Sequence, residues 1–162
     1  MTEQPVVHST FAIKRNYAAS PTCVFAAFAD ETTKRRWFVE GKGSEVDEFT
    51  IDFRVGGREQ TRFRFKGGPD GAPSAGTAIS NDTTYQDIVP DRRIVFAYTM
   101  TVGGRRISAS LATVELVPSG DGTRLTFTEQ AAFFEGADGP QRREEGWGAL
   151  LQNLADELPK MA

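Results

Sequence analysis

Apolar and polar residues alternate along most of the chain. In residues 9–17, Phe11, Ile13 and Tyr17 share one face, and this period of two predicts a half-buried strand. Further strands are predicted at residues 45–53, 58–65, 77–89, 94–100, 107–117 and 123–133. Short turns join the last of these segments, so we expect an antiparallel meander.

Helical signals occur at only two places. Ser20 and Pro21 form a strong helix start, and Asp30 can cap a second short helix over residues 31–37. A long helix follows residues 136–140, begins before Gly146 and runs to about residue 158. Its apolar stripe, at helical spacing, consists of Trp147, Leu150, Leu151, Leu154 and Leu158.

The order of these elements predicts an α+β fold with an antiparallel sheet and segregated helices. One helix is about 10 Å across, while strands lie about 4.8 Å apart, so six or seven strands are much wider than the helix. We therefore expect the sheet to curl around the last helix. The space between them must be filled by large side chains or left open as a pocket.

Composition narrows the function classes. The chain has 162 residues, a net charge of −3, one cysteine and one histidine. These values indicate a single domain over residues 1–162, without an intrachain disulfide, metal site or other cofactor. They give no electrostatic argument for nucleic acid, and no apolar segment is long enough to span a membrane. Without a signal-peptide pattern at the start of the chain, we expect a cytoplasmic protein.

The glycine- and proline-rich residues 66–76 are interpreted as a hairpin tip, because strand patterns flank them on both sides. The arginines on turns and polar strand faces are interpreted as solvated charges rather than an anion site. They are Arg62, Arg64, Arg92, Arg93, Arg105 and Arg106.

Two acids share a face with apolar residues. Glu129 alternates in phase with Leu125 and Phe127, so it should point inward, where burial would raise its pKa. The alternative is a wet or paired position near the strand end. Glu59 is in phase with Phe63, but it follows a Gly-Gly turn, and we favour a solvated strand start there. Tyr98 would bring a hydroxyl into the interior as a ligand anchor.

Several segments together resemble the family named after the activator of heat-shock protein 90 ATPase. They are YAASPTCVFAAFADETTKRRWF (17–38), FRVGGRE (53–59), YQDIVPDRRIVFAYTM (85–100), ATVELVPSGDGTRLTFTEQ (112–130) and GWGALLQNLADEL (146–158). The resemblance implies the START-like helix-grip fold, also found in birch-pollen-allergen-like proteins and polyketide cyclases. In that fold a curved sheet surrounds a long C-terminal helix, over a core of residues 9–158.

The resemblance and the strand phase together suggest a small hydrophobic or aromatic ligand held between the sheet and the helix. The expected ligand-binding residues are Trp37, Phe38, Glu59, Phe63, Tyr85, Phe96, Tyr98, Phe127, Glu129, Trp147 and Leu151. Large aromatics such as Trp37 are also ordinary core residues, which is the favoured interpretation of Trp37 and Phe38.

Two other functions stay open. A cyclase-like or hydrolase-like enzyme would use Glu129 and Tyr98 in the same cavity. A chaperone-regulating protein would bind its partner through the surface. The matching segments do not include the additional N-terminal domain of eukaryotic activators, which argues against full co-chaperone activity. Either a monomer or a homodimer is compatible with the sequence.

Overall fold

The computed structural model describes residues 6–40, 44–67, 74–135, 137 and 139–161. Its strands are β1 (Val7–Tyr17), β2 (Ser44–Ile51), β3 (Arg58–Phe65), β4 (Ala78–Val89), β5 (Arg93–Val102), β6 (Arg105–Ser119) and β7 (Gly122–Phe133). They form one antiparallel sheet in the order β1-β7-β6-β5-β4-β3-β2. The sheet is therefore a meander from β2 to β7, with β1 added beside β7.

The helical segments are α1 (Pro21–Ala29), α2 (Glu31–Lys34), a π-helical turn (Arg35–Val39), α3 (Pro140–Glu157) and a terminal 3₁₀ turn (Leu158–Met161). The predicted caps are present: Ser20 accepts a hydrogen bond from the Cys23 amide, and Asp30 accepts one from the Thr33 amide. The predicted helix over residues 31–37 is thus one α-helical turn continued by the π-helical turn. This segment directs Trp37 inward, where its Nε1 donates to the Ala27 carbonyl over 2.9 Å.

Helix α3 packs on the concave face of the sheet. Trp147, Leu151 and Leu154 are buried on its inner face, Leu158 is buried at the start of the 3₁₀ turn that follows, and the Tyr17 hydroxyl donates to the Leu151 carbonyl over 2.9 Å. The fold is therefore α+β with the helix-grip arrangement, as the order of the predicted elements indicated. No helix among the described residues is both long and apolar enough to cross a membrane.

A β-bulge in β4 settles which of its side chains face inward. The register with β5 shifts between Tyr85 and Asp87, because β4 has one residue more than β5 at this point. Tyr85 is buried on the inner face, while Asp87 pairs with Arg93 at the surface.

In the predicted hairpin tip at 66–76, residues 68–73 lie outside the described residues.

Candidate functional site

A cavity of about 870 Å³ lies between α3, the π-helical turn and strands β3 to β5. We call it the grip cavity. Its volume falls within the range of small-molecule sites, about 300–1,000 Å³. Large apolar side chains form much of its wall, namely Phe38, Phe63, Phe65, Phe96, Met100, Trp147 and Leu150. The curled sheet is thus only partly filled, because a single helix cannot cover seven strands.

Polar side chains connect two of the elements that line the grip cavity. Arg36 from the π-helical turn donates to Glu157 of α3 over 2.9 Å, and Asn153 donates to the Trp37 carbonyl over 3.3 Å. All four residues line the cavity. These contacts fix the π-helical turn against the C-terminal half of α3.

Glu129 lies at the centre of the first buried polar cluster, behind the cavity wall. It is fully buried on β7, between Ala112 and Phe11 in the register of the sheet. The Tyr98 hydroxyl donates to Oε1 over 2.6 Å, and the Ser110 hydroxyl donates to Oε2 over 3.3 Å. Arg143 of α3 places Nη1 3.5 Å from Oε2. Both carboxylate oxygens therefore have partners.

Burial dominates the electrostatics of Glu129. Loss of hydration raises the pKa of its carboxyl, and the Tyr98 hydrogen bond and the Arg143 charge only partly oppose this effect. The pKa of Tyr98 is also raised, first by burial and then by the Glu129 charge. Both effects favour the neutral forms, so a phenol rather than a phenolate faces the cavity.

Arg143 and Trp147 connect this cluster to α3. Arg143 donates to the Tyr98 hydroxyl over 3.1 Å and to Ser108 over 2.8 Å. Trp147 Nε1 also donates to the Tyr98 hydroxyl, over 3.2 Å, and its ring stacks on Phe127 at 4.1 Å between centroids. Trp147 therefore lies beside the Tyr98–Glu129 pair.

Glu59 is the centre of the second buried polar cluster. Lys34 of α2 donates to its Oε1 over 2.5 Å, and the Tyr85 hydroxyl donates to the same oxygen over 2.6 Å. The Lys34 ammonium also lies 4.7 Å from the Phe38 ring centroid, an attractive cation–π position. Burial and the Glu59 charge raise the pKa of Tyr85 well above its ordinary value.

The favoured interpretation of Glu59 as a solvated strand start is wrong. Its exposed fraction is 2%, and Lys34 of α2 lies against it as a counter-ion. Unlike Glu129, Glu59 lines the grip cavity. The structure thus places one of the two acids on the wall and the other behind it.

The two glycines of α3 have different surroundings. Gly146 lines the grip cavity, and a β-carbon there would meet no atom within 4 Å. A β-carbon at Gly148 would instead lie 3.6 Å from Nη2 of Arg15 on β1. Gly146 therefore leaves space at the cavity, whereas Gly148 faces the edge strand.

The residues expected from the sequence to bind a ligand separate into two groups. Those that line the grip cavity are Trp37, Phe38, Glu59, Phe63, Phe96, Tyr98 and Trp147. Those buried behind its wall are Tyr85, Phe127, Glu129 and Leu151. The second group can orient or support wall residues, as Glu129 does for Tyr98, but a ligand in the cavity would not touch it.

Sequence reasoning missed the two cations that are buried among the described residues. Lys34 is 3% exposed and Arg143 is 5% exposed, yet each stands in a polar stretch, TTKRR or QRREE. Neither stretch distinguishes the buried cation from its exposed neighbours. Asn81 and Thr83 also line the cavity. The alternation of β4 could have identified them as inward-facing residues.

Comparison with known proteins agrees with this fold. The family model described as Activator of Hsp90 ATPase homolog 1-like protein matches residues 18–158. A solved protein of Rhizobium loti is 55% identical, with a TM-score of 0.83, over 95% of this chain and 99% of its own. A protein of Rhizobium leguminosarum is 34% identical, with a TM-score of 0.86, over 98% and 99% of the two chains.

No curated protein matches the chain. An Activator-of-Hsp90-ATPase-homolog-1-like protein of Aeromonas hydrophila, 18% identical over 94% of this chain and 93% of its own, has a TM-score of 0.68 and shares the fold. The family match covers most of the sequence and the same elements that enclose the grip cavity. The chain belongs to the Activator of Hsp90 ATPase homolog 1-like family.

Proposed function

We propose that the protein binds a small hydrophobic or aromatic molecule in the grip cavity. The observation that carries this proposal is a cavity of about 870 Å³ with an aromatic wall, between the sheet and α3. Ligand sites are typically concave and mostly apolar, with a few placed polar groups. Phe63, Phe96 and Trp147 supply the apolar surface, and Tyr98 supplies a polar group held in place by Glu129.

An enzyme of cyclase or hydrolase type has less support. Such an enzyme needs a general acid or base within hydrogen-bond reach of its substrate. Glu129 is fully buried and does not line the cavity, and its two oxygens are occupied by Tyr98, Ser110 and Arg143. A chaperone-regulating function, suggested by the family description, has no comparable support among the described residues.

The glycine pair of α3 provides the test. Nile red, an uncharged apolar dye, is titrated against the wild type, Gly146→Leu and Gly148→Leu, and its fluorescence is followed. The leucine at position 146 fills space at the cavity, whereas the leucine at 148 lies on the β1 side. We expect binding to the wild type and to Gly148→Leu, and affinity weaker by about tenfold or more, equivalent to 1.4 kcal/mol, in Gly146→Leu.

Both leucines favour helix formation over glycine, so neither variant should be less helical than the wild type. Circular dichroism and urea unfolding check this point. Absence of dye binding by the wild type, or equal binding by both variants, would contradict the proposal. If the wild type binds the dye, mass spectrometry of a small molecule retained during purification would identify the natural ligand.

A further inference from the structure

Strands β3 and β4 place four polar side chains together on one part of the cavity wall. Glu59 is opposite Thr83 in the register, and Thr61 is opposite Asn81. All four residues line the grip cavity. We call this group, Glu59, Thr61, Asn81 and Thr83, the acceptor patch. It lies beside the apolar wall formed by Phe63 and Phe96.

The acceptor patch has hydrogen-bonding capacity that the described chain leaves unused. Thr61 Oγ1 and Asn81 Oδ1 are buried and have no hydrogen-bond partner. Glu59 accepts both of its hydrogen bonds at Oε1, so Oε2 has no partner within the described part of the chain. Native proteins leave few buried polar groups unpaired, and each such group requires an explanation.

Building on the proposed ligand-binding function, we propose that the acceptor patch recognises a neutral hydrogen-bond donor on the ligand, a hydroxyl or an amide N–H. The ligand's apolar body then lies against Phe63, Phe96 and Trp147. The ligand's O–H or N–H then donates to one of the unpaired oxygens, and a ligand hydroxyl oxygen can in turn accept a hydrogen bond from the Thr61 hydroxyl. The expected ligand is therefore amphipathic, with its polar end directed at β3 and β4.

The charges around the patch favour a neutral donor over an ion. A carboxylate oxygen and an amide oxygen are acceptors only, so they repel an anionic group. The Glu59 charge is already neutralised by the Lys34 ammonium at 2.5 Å. A cationic ligand would therefore lie close to a buried cation without a free countercharge. A hydroxyl or amide N–H satisfies the acceptors without either cost.

Three naphthalene probes of similar size separate donor recognition from apolar binding. The probes are 2-naphthol, a neutral donor at pH 7, 2-methoxynaphthalene, an acceptor only, and 2-methylnaphthalene, which is neither. Their affinities are measured by displacement of Nile red from the wild type, Thr61→Val and Asn81→Leu. Thr84→Val is the matched control, because Thr84 follows Thr83 on β4 and does not line the cavity.

We expect Thr61→Val and Asn81→Leu each to lower the ratio of 2-naphthol affinity to 2-methylnaphthalene affinity, by about fivefold to tenfold, the effect of losing one hydrogen bond. Thr84→Val should leave this ratio unchanged. Replacing the Thr61 hydroxyl, which has no partner, by a methyl group should not lower the free energy of unfolding. In the wild type, 2-methoxynaphthalene should bind less tightly than 2-naphthol, because an ether oxygen cannot donate to Glu59 Oε2 or Asn81 Oδ1.

The outcomes distinguish this inference from the function on which it rests. If both 2-naphthol and 2-methylnaphthalene bind but the ratio is the same in all variants, the ligand-binding function stands and the donor preference is overturned. Equal affinity for 2-methoxynaphthalene and 2-naphthol also overturns it. If no naphthalene probe displaces Nile red from the wild type, both proposals fall.

Discussion

Two buried carboxylates of this protein, Glu59 and Glu129, have similar chemical surroundings but different access to the cavity. Each accepts a 2.6 Å hydrogen bond from a tyrosine and each has one buried cation nearby. Glu129 uses both oxygens within the protein, and it lies behind the wall. Glu59 uses Oε1 for Lys34 and Tyr85, and it lies on the wall.

The difference indicates two roles for the same side-chain chemistry. A carboxylate whose partners are all internal can stabilise the fold and orient its neighbours, as Glu129 orients Tyr98. A carboxylate with an oxygen left over can also bind a molecule that enters the cavity. Burial alone therefore does not identify a ligand-binding acid, and the distribution of partners between the two oxygens is more informative.

Arg143→Met should give the largest loss of stability. The substitution leaves Glu129 buried without its cation and removes donors from Tyr98 and Ser108. A buried group left without its hydrogen-bond partner costs about 1–3 kcal/mol, and we expect about 3 kcal/mol in total because Tyr98 and Ser108 both lose a donor. Urea unfolding of the variant and the wild type measures the difference.

Arg142→Met is the matched control for that substitution, because Arg142 is the exposed neighbour of Arg143. Exposed ion pairs contribute about 0–1 kcal/mol. The free energy of unfolding of Arg142→Met should therefore differ from that of the wild type by less than about 1 kcal/mol. Equal losses in the two variants would mean that the Glu129 cluster does not depend on the buried guanidinium.

Lys34→Met should cost less, about 2 kcal/mol, although its ion pair is the shorter one. Tyr85 still donates to Glu59 Oε1 in this variant, and Glu59 lies on the cavity wall rather than behind it. Urea unfolding of Lys34→Met and the wild type measures this loss of stability. The double variant Lys34→Met/Glu59→Gln should recover part of the loss, because it removes the unpaired charge. A loss as large as that of Arg143→Met would remove the distinction between the two acids.

The alternation of the strands predicted most of the fold, and for Glu129 it favoured an inward position and a paired position near the strand end equally; the residue is both buried and paired with Arg143. Glu129 lies well inside β7, where its phase with Leu125 and Phe127 is unambiguous. Glu59 is the second residue of β3, and strand phase is least reliable at such a boundary. Its burial depends on Lys34, 25 residues earlier in the chain.

The buried cations show a physical limit of the same reasoning. Lys34, Arg35 and Arg36 are consecutive, and the local sequence pattern does not distinguish the buried cation from the exposed ones. The transition from α2 to the π-helical turn decides which one points into the protein. The unpaired atoms of Thr61 and Asn81 likewise depend on the register between β3 and β4, which the sequence pattern does not specify.

Glu129→Gln should change the pH dependence of stability, in a direction fixed by the raised pKa of Glu129. Below the ordinary carboxyl pKa of about 4.3, both the folded and the unfolded chain hold the proton. As the pH rises above that value, the unfolded chain loses its proton first, while the folded protein retains it. The wild type therefore loses stability relative to the variant, until the pH exceeds the raised pKa of the folded state.

Urea unfolding at intervals from pH 4 to pH 8 provides the check, as the free energy of the wild type minus that of Glu129→Gln. We expect this difference to fall as the pH rises and then to become constant. Thr128→Ser, a non-titrating change on the same strand, should give a difference that does not vary with pH. A difference for Glu129→Gln that rises with pH would mean that Arg143 and Tyr98 outweigh burial. Glu129 would then be a stabilising anion, and the contrast with Glu59 would rest on access to the cavity alone.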